Sequence, residues 1–135
     1  MSTGYSKRTL AEKLGLKAGQ RVALLNAPAG YFEALGEVVG GAELVEVGPG
    51  GVDFIQVFTN SRLELADRFP ELKRGLASAG MLWVSWPKGS SRVASDLNEN
   101  VVREIGLENG LVDVKVISVD EVWSGLKFVY RVKDR

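Results

Sequence analysis

Asn26, Pro28 and Tyr31 follow the apolar run RVALL, Thr59 and Asn60 follow VDFIQVF, Trp86 and Lys88 close MLWVSWPK, and Asp120 and Trp123 follow the run that ends at Val119. If those runs are strands of one open sheet, these residues share the carboxyl rim, where ligands of such sheets sit. Trp86 with Lys88 offers a flat ring beside a cation, suited to a planar or anionic ligand. The simpler reading is that Trp83 and Trp86, three apart, fill the core on opposite faces of the sheet. The chemistry open to this set is narrow. The chain has no cysteine and no histidine, so thiolate nucleophiles, disulfides, zinc–sulfur sites, imidazole ligands and the Ser-His-Asp triad are excluded. No metal site is expected. Carboxylates, Lys, Tyr and Ser remain, and spacing alone assigns no acid–base pair among them. A phosphate loop at Lys88–Ser91 fails because its lysine precedes the glycine.

Asp96, Asn98, Glu99, Asn100 and Arg103 form the densest polar cluster. Asn100 and Arg103, three apart, can share a helical face. Helix capping plus a solvated face explains the group most simply; a cleft lining or a partner contact is the other reading.

The elements that must position these residues follow from periodicity and punctuation. Ser2–Arg8 is a polar arm. Thr9 and Glu12 have capping-box spacing for a short helix stopped at Gly15. Arg21–Leu25 is a first, buried strand, Glu43–Val47 alternates as a second, and Val52–Phe58, rich in β-branched and aromatic residues, is a central third. Between the first two strands, Tyr31–Leu35 allows a turn or two of helix that Gly36, Gly40 and Gly41 break. Ser61 and Glu64 open a helix with Leu65, Phe69, Leu72 and Leu76 on one face, kinked or divided at Pro70 and ended at Gly80. Met81–Trp86 is a fourth strand, and Pro87–Ser95 a flexible loop. Asp96 with Glu99 caps a last helix burying Leu97, Val101 and Ile105. Leu111–Val119 and Leu126–Val132 form a closing hairpin joined by Asp120–Gly125.

The 135 residues fit one α/β domain, with 45% apolar and 25% charged content typical of a globular protein. The 17 basic and 17 acidic side chains cancel, so no overall field attracts nucleic acid or an anionic membrane. With no long apolar run and a polar first twenty residues, the expected location is the cytoplasm.

The order of elements resembles the Rossmann-like class I S-adenosylmethionine-dependent methyltransferases over roughly Ala18–Arg131. KAGQRVALLNAPAGY resembles that family's first motif, VDFIQVF its later strand beginning Asp-aliphatic, ASAGMLWVSWP its turn-and-strand, and LVDVKVISVDEVWSGLKFVYR its closing hairpin. The resemblance implies a three-layer sandwich around a six-stranded, mostly parallel sheet of order 2-1-3-4-6-5, with the sixth strand antiparallel. One helix-strand unit of the family is missing between Val47 and Val52. The cofactor turn also departs from the family: where an acidic residue and alternating glycines are expected, the chain has Asn26, Ala27, Pro28, Ala29 and a lone Gly30. Glu46 would match the family's ribose-binding acid, or be a solvent-facing residue of an alternating strand. GYSKRTLAEKLG, RVALLNAP, MLWVSWPK, DLNEN and VDEVWSGLK further resemble a family of small bacterial proteins that carries a domain-of-unknown-function label.

Glycines in such a turn let a ligand approach the backbone; a proline ring and two methyl groups fill that space and remove a donor. The leading expectation is therefore a non-catalytic, methyltransferase-like module without a cofactor, binding a small ligand or a protein. The alternatives are an active S-adenosylmethionine-dependent transferase on a small molecule, with Asn26, Gly30 and Glu46 at the cofactor and Trp86, Lys88 or Asp120 at the substrate, and a structural homo-oligomeric subunit, such as a homodimer, paired through the unprotected second strand.

Overall fold

A computed structural model describes residues 8–48 and 51–135. The expected arm therefore lies outside the described residues but for Arg8. The elements run α1 (Leu10–Leu14), β1 (Arg21–Leu25), α2 (Tyr31–Leu35), a 3-10 helix (Gly36–Gly41), β2 (Glu43–Leu44), β3 (Val52–Phe58), α3 (Arg62–Gly75), β4 (Leu76–Pro87), α4 (Glu99–Glu108), β5 (Leu111–Ser118), β6 (Trp123–Tyr130) and a last 3-10 turn (Val132–Asp134). The strands form one sheet of order β2-β1-β3-β4-β6-β5, parallel from β2 to β4, with β6 antiparallel to both β4 and β5. This is the order and polarity that the family resemblance implied. No helix among the described residues is long and apolar enough to cross a membrane.

Alternation along β3 explains the three layers. Phe54 and Phe58 point to one face, where they join Leu14, Tyr31, Leu35 and Trp83 under α1 and α2. Ile55 and Val57 point to the other, where Leu65, Phe69 and Leu72 of α3 and Val102 and Ile105 of α4 cover them. Trp83 ties the layers together: it is fully buried, and its indole Nε1 donates to the Leu14 carbonyl across 2.9 Å.

Several boundaries differ from the sequence reading. The Gly36–Gly41 stretch is a 3-10 helix instead of a break. β2 is only two residues long, although the Val45 N–H still donates to the Val22 carbonyl at 2.8 Å, and Val45 and Val47 pack against the core on the α3 face. Residues 45–51 alone carry the chain from β2 to β3, too few for a helical crossover of a dozen residues or more. Val47 and Gly48 lie against the end of α3, where a side chain on Gly75 would meet Val47 Cγ1 at 2.6 Å. α3 stops at that glycine, not at Gly80, and Leu76 begins an extended β4 whose register against β3 shifts between Leu76 and Met81. Pro70 does not divide α3; it sits on the exposed face, where water can serve the carbonyl its missing N–H leaves unpaired.

The cap expected from Asp96 is also redistributed. Asn98 caps α4 by accepting from the Val101 N–H at 2.9 Å, and Asp96 accepts from the Arg62 N–H at 2.7 Å, at the start of α3. α4 buries Val102, Ile105 and Gly106, with Leu97 buried just before it and Val101 only half-buried. The hairpin joint is shorter than DEVWSG, since Trp123, Ser124 and Gly125 already pair with Pro87, Trp86 and Ser85. β6 ends at Tyr130, and β5 ends at Ser118.

Candidate functional site

The rim at the carboxyl ends of β1, β3 and β4 begins with Asn26, the one described non-glycine residue with positive φ (57°). Asparagine tolerates this left-handed conformation better than most residues. Its Nδ2 donates to the Phe58 carbonyl at 3.3 Å and reaches Glu64 Oε1 at 3.5 Å. The carboxamide thus staples β1 to β3 and to the first turn of α3. Pro28 accepts from the Tyr31 N–H at 3.1 Å through its carbonyl, and Gly30, left-handed at φ 81°, caps α2 with open space where a side chain would stand.

Tyr31 points inward. Buried under α2, its hydroxyl donates to Gln56 Oε1 at 2.7 Å, and Gln56 Nε2 donates to Ser85 Oγ at 3.1 Å. Tyr31 and Trp123 flank Phe58 edge-on, at 4.8 and 5.1 Å between ring centroids. Trp123 is the half-exposed end of that trio. Two of the expected rim positions, Tyr31 and Trp123, therefore meet, but around Phe58 and a buried polar relay. Gln56 and Ser85 were missed in the sequence; each is a polar residue inside an otherwise apolar central strand, and that was their signal.

The remaining candidates serve the fold. Thr59 is buried, its Oγ1 accepting from the Ser61 N–H at 3.1 Å. Asn60 donates to the Ala94 carbonyl at 3.3 Å and accepts from Ser95 Oγ at 3.0 Å, which ties the loop after β4 to the start of α3. Asp120 is committed to its own turn, with Oδ1 accepting from the Val122 and Trp123 N–H groups, each at 2.8 Å. Lys88 Nζ donates to Ser118 Oγ at 2.6 Å. Trp86, only 5% exposed, packs in the α3–α4 core, so its face is not offered to a ligand and no platform with Lys88 forms. The two tryptophans of β4 do fall on opposite faces. Arg103 gathers the polar cluster of α4, bonding Glu99, Asn100 and Asp113 at 2.5, 3.1 and 2.9 Å on an outer surface.

Glu46 lies beyond the shortened β2 and is exposed. It lines two hollows at that corner of the sheet. One, about 310 Å³, is shared with Leu25, Val47, Arg68 and Glu71 on the α3 side. The other, about 250 Å³, lies beside Phe32 and Leu44 on the α2 side. No group of His, Cys, Asp or Glu among the described residues is arranged to hold a metal ion.

Burial raises the Tyr31 phenol well above its ordinary value of 10.0; the Gln56 hydrogen bond opposes this and the Asp120 carboxylate adds to it. The unfolded phenol ionises first, so its contribution to stability is complete below pH 10 and is lost as the pH rises further. A Tyr31→Phe variant should therefore lose stability less steeply than the wild type above about pH 10, as read by urea denaturation at a series of pH values.

No protein-family model matches the sequence, nor does any curated protein. Solved structures do match. A methyltransferase dependent on S-adenosylmethionine from Aquifex aeolicus aligns at a TM-score of 0.63 and 18% identity, over 88% of this chain and 86% of that one. Another, from Thiobacillus denitrificans in complex with S-adenosyl-L-homocysteine, aligns at 0.59 and 14%, over 91% and 90%. A TehB-like enzyme of the same class from Corynebacterium glutamicum gives 0.57 and 10%, over 90% and 85%. The fold is that of the S-adenosylmethionine-dependent methyltransferases. At these identities the likeness concerns the fold, and activity has to be argued from the site. In this methyltransferase fold, Asn26 occupies the turn after β1 and Glu46 the exposed segment after β2.

Proposed function

We propose that this chain is a non-catalytic module on the methyltransferase scaffold, using the corner around Glu46 to bind other molecules rather than to transfer a methyl group. One observation carries the reading: the turn after β1 is occupied by its own protein groups. The Asn26 carboxamide is engaged with Phe58 and Glu64, and Ala27 packs against the core cluster under α2. Pro28 has no N–H to donate. Where the family resemblance implies a carboxylate and glycines, a bound cofactor would have to break the Asn26 staple and would find a neutral amide in place of a charged acceptor. The short link from β2 to β3 supports the same reading, because it replaces a helix-strand unit that would flank the adenine.

Calorimetric titration tests this directly. The purified chain should give no saturable heat with S-adenosylmethionine or S-adenosylhomocysteine at micromolar concentration. Micromolar binding of either would overturn the reading and place the chain among cofactor-binding transferases.

A further inference from the structure

We propose that the hollow between α2 and β2 is a docking surface for an extended segment of another protein that carries both apolar and Lys or Arg side chains. The hollow is lined by Val22, Leu24, Phe32, Leu44, Val45 and Glu46. Leu44 stands opposite Val22 in the parallel β1–β2 register, so the two side chains share the α2 face. Phe32 is 44% and Leu44 52% exposed. Two large apolar side chains facing water around one concavity mark an interaction surface more than chance exposure does.

The backbone there is also available. The Glu43 and Val45 N–H groups each donate back towards β1, to the Gln20 and Val22 carbonyls at 2.8 Å. Leu44, between them, turns its peptide groups outward along an edge of the sheet that no strand among the described residues pairs, and an extended segment can add to it.

Charge selects the partner. From Val22 to Ser61 the chain carries Glu33, Glu37, Glu43, Glu46 and Asp53 and not one Lys or Arg, within a protein of zero net charge. Asp53 is engaged elsewhere, accepting from the Arg21 N–H at 2.8 Å. The four glutamates are exposed, and Glu33, Glu37 and Glu46 form no ion pair among the described residues. Of these glutamates, Glu46 lines the hollow itself, so a second copy meeting it across a two-fold axis would bring Glu46 towards its own twin, and nucleic acid or an anionic membrane would be repelled. A cationic, apolar segment complements both properties. The surface shares Glu46 with the corner discussed above, but it does not rest on the absence of catalysis.

The test is a fluorescence-anisotropy titration with a labelled peptide of alternating Val and Lys, beside its Val/Glu twin, against wild type, Glu46→Lys and Leu44→Ser. The Val/Lys peptide should bind wild type saturably and about tenfold more weakly to each variant, while the twin does not bind. Circular dichroism establishes that the variants fold; should Leu44→Ser not, the surface change Glu46→Lys carries the test. Absence of saturable binding, equal affinity in Glu46→Lys, or equal binding of the twin would overturn the proposal. So would sedimentation showing a wild-type dimer that Glu46→Lys tightens or leaves intact and Leu44→Ser abolishes, since that assigns the surface to a second copy.

Discussion

Replacing Trp83 by alanine is expected to cost about 3–5 kcal/mol of folding stability, a large share of the roughly 5–15 kcal/mol that holds a domain of this size together. Trp83 is fully buried beside Phe54 and Phe58 on the α1–α2 face. Its removal opens a cavity in the layer that positions β1 and the turn at Asn26. It also orphans the Leu14 carbonyl, which the indole N–H satisfies. Trp83→Phe separates the two effects. It keeps much of the ring volume and loses the hydrogen bond, so it should cost less than the alanine variant. Urea denaturation of the three proteins checks both the size and the order. If Trp83→Ala unfolds within about 1 kcal/mol of wild type, α1 is not anchored to the sheet in this way.

The second large effect belongs to Gly106. In an exposed helix, Gly→Ala is expected to stabilise by about 1 kcal/mol. Here the sign reverses. A Cβ at Gly106 would stand 2.0 Å from Phe128 Cε1 and 2.4 Å from Cζ. The ring has no free direction of escape: it is fully buried and packs edge-on against Phe69, 5.7 Å between centroids. Relief requires α4 to lift from β6, so Gly106→Ala should destabilise by about 3 kcal/mol, the upper end of ordinary overpacking. Adding Phe128→Leu should recover part of the loss, because the two changes compete for one volume and are not additive. A double mutant no more stable than the sum of the single effects would place the strain elsewhere.

Both effects arise where elements meet, and that is also where the sequence reading stopped. Apolar periodicity located the six strands, though it read Leu76–Gly80, the start of β4, as helix, and the β-branched and aromatic residues of Val52–Phe58 placed that strand centrally. The capping box at Thr9–Glu12 formed as spaced, with the Thr9 N–H donating to Glu12 Oε1 at 2.8 Å and the Glu12 N–H to Thr9 Oγ1 at 3.1 Å. Such features are local: their partners lie a few residues apart, so the sequence holds both.

The strand order came from the family resemblance, because no local signal says which strand neighbours which. Side-chain roles were legible only in part. Trp86 and Lys88 lie two residues apart at the rim in sequence, but strand alternation with α3 and α4 packed above turned the ring into the core. Asp96 has capping spacing to Glu99, yet the competing Arg62 N–H, brought close only by folding, takes its carboxylate. Asn26 was recognised as the odd residue of its turn, and its bond to the Phe58 carbonyl depended on β1 and β3 lying side by side. Composition and order thus determined the class of the protein, the absence of thiol and imidazole chemistry, and the degenerate turn after β1. Tertiary structure alone decided which polar atoms were already engaged and which, like the Glu46 carboxylate, still face outward. A side chain's availability depends on neighbours distant in the chain, and only the folded packing specifies them.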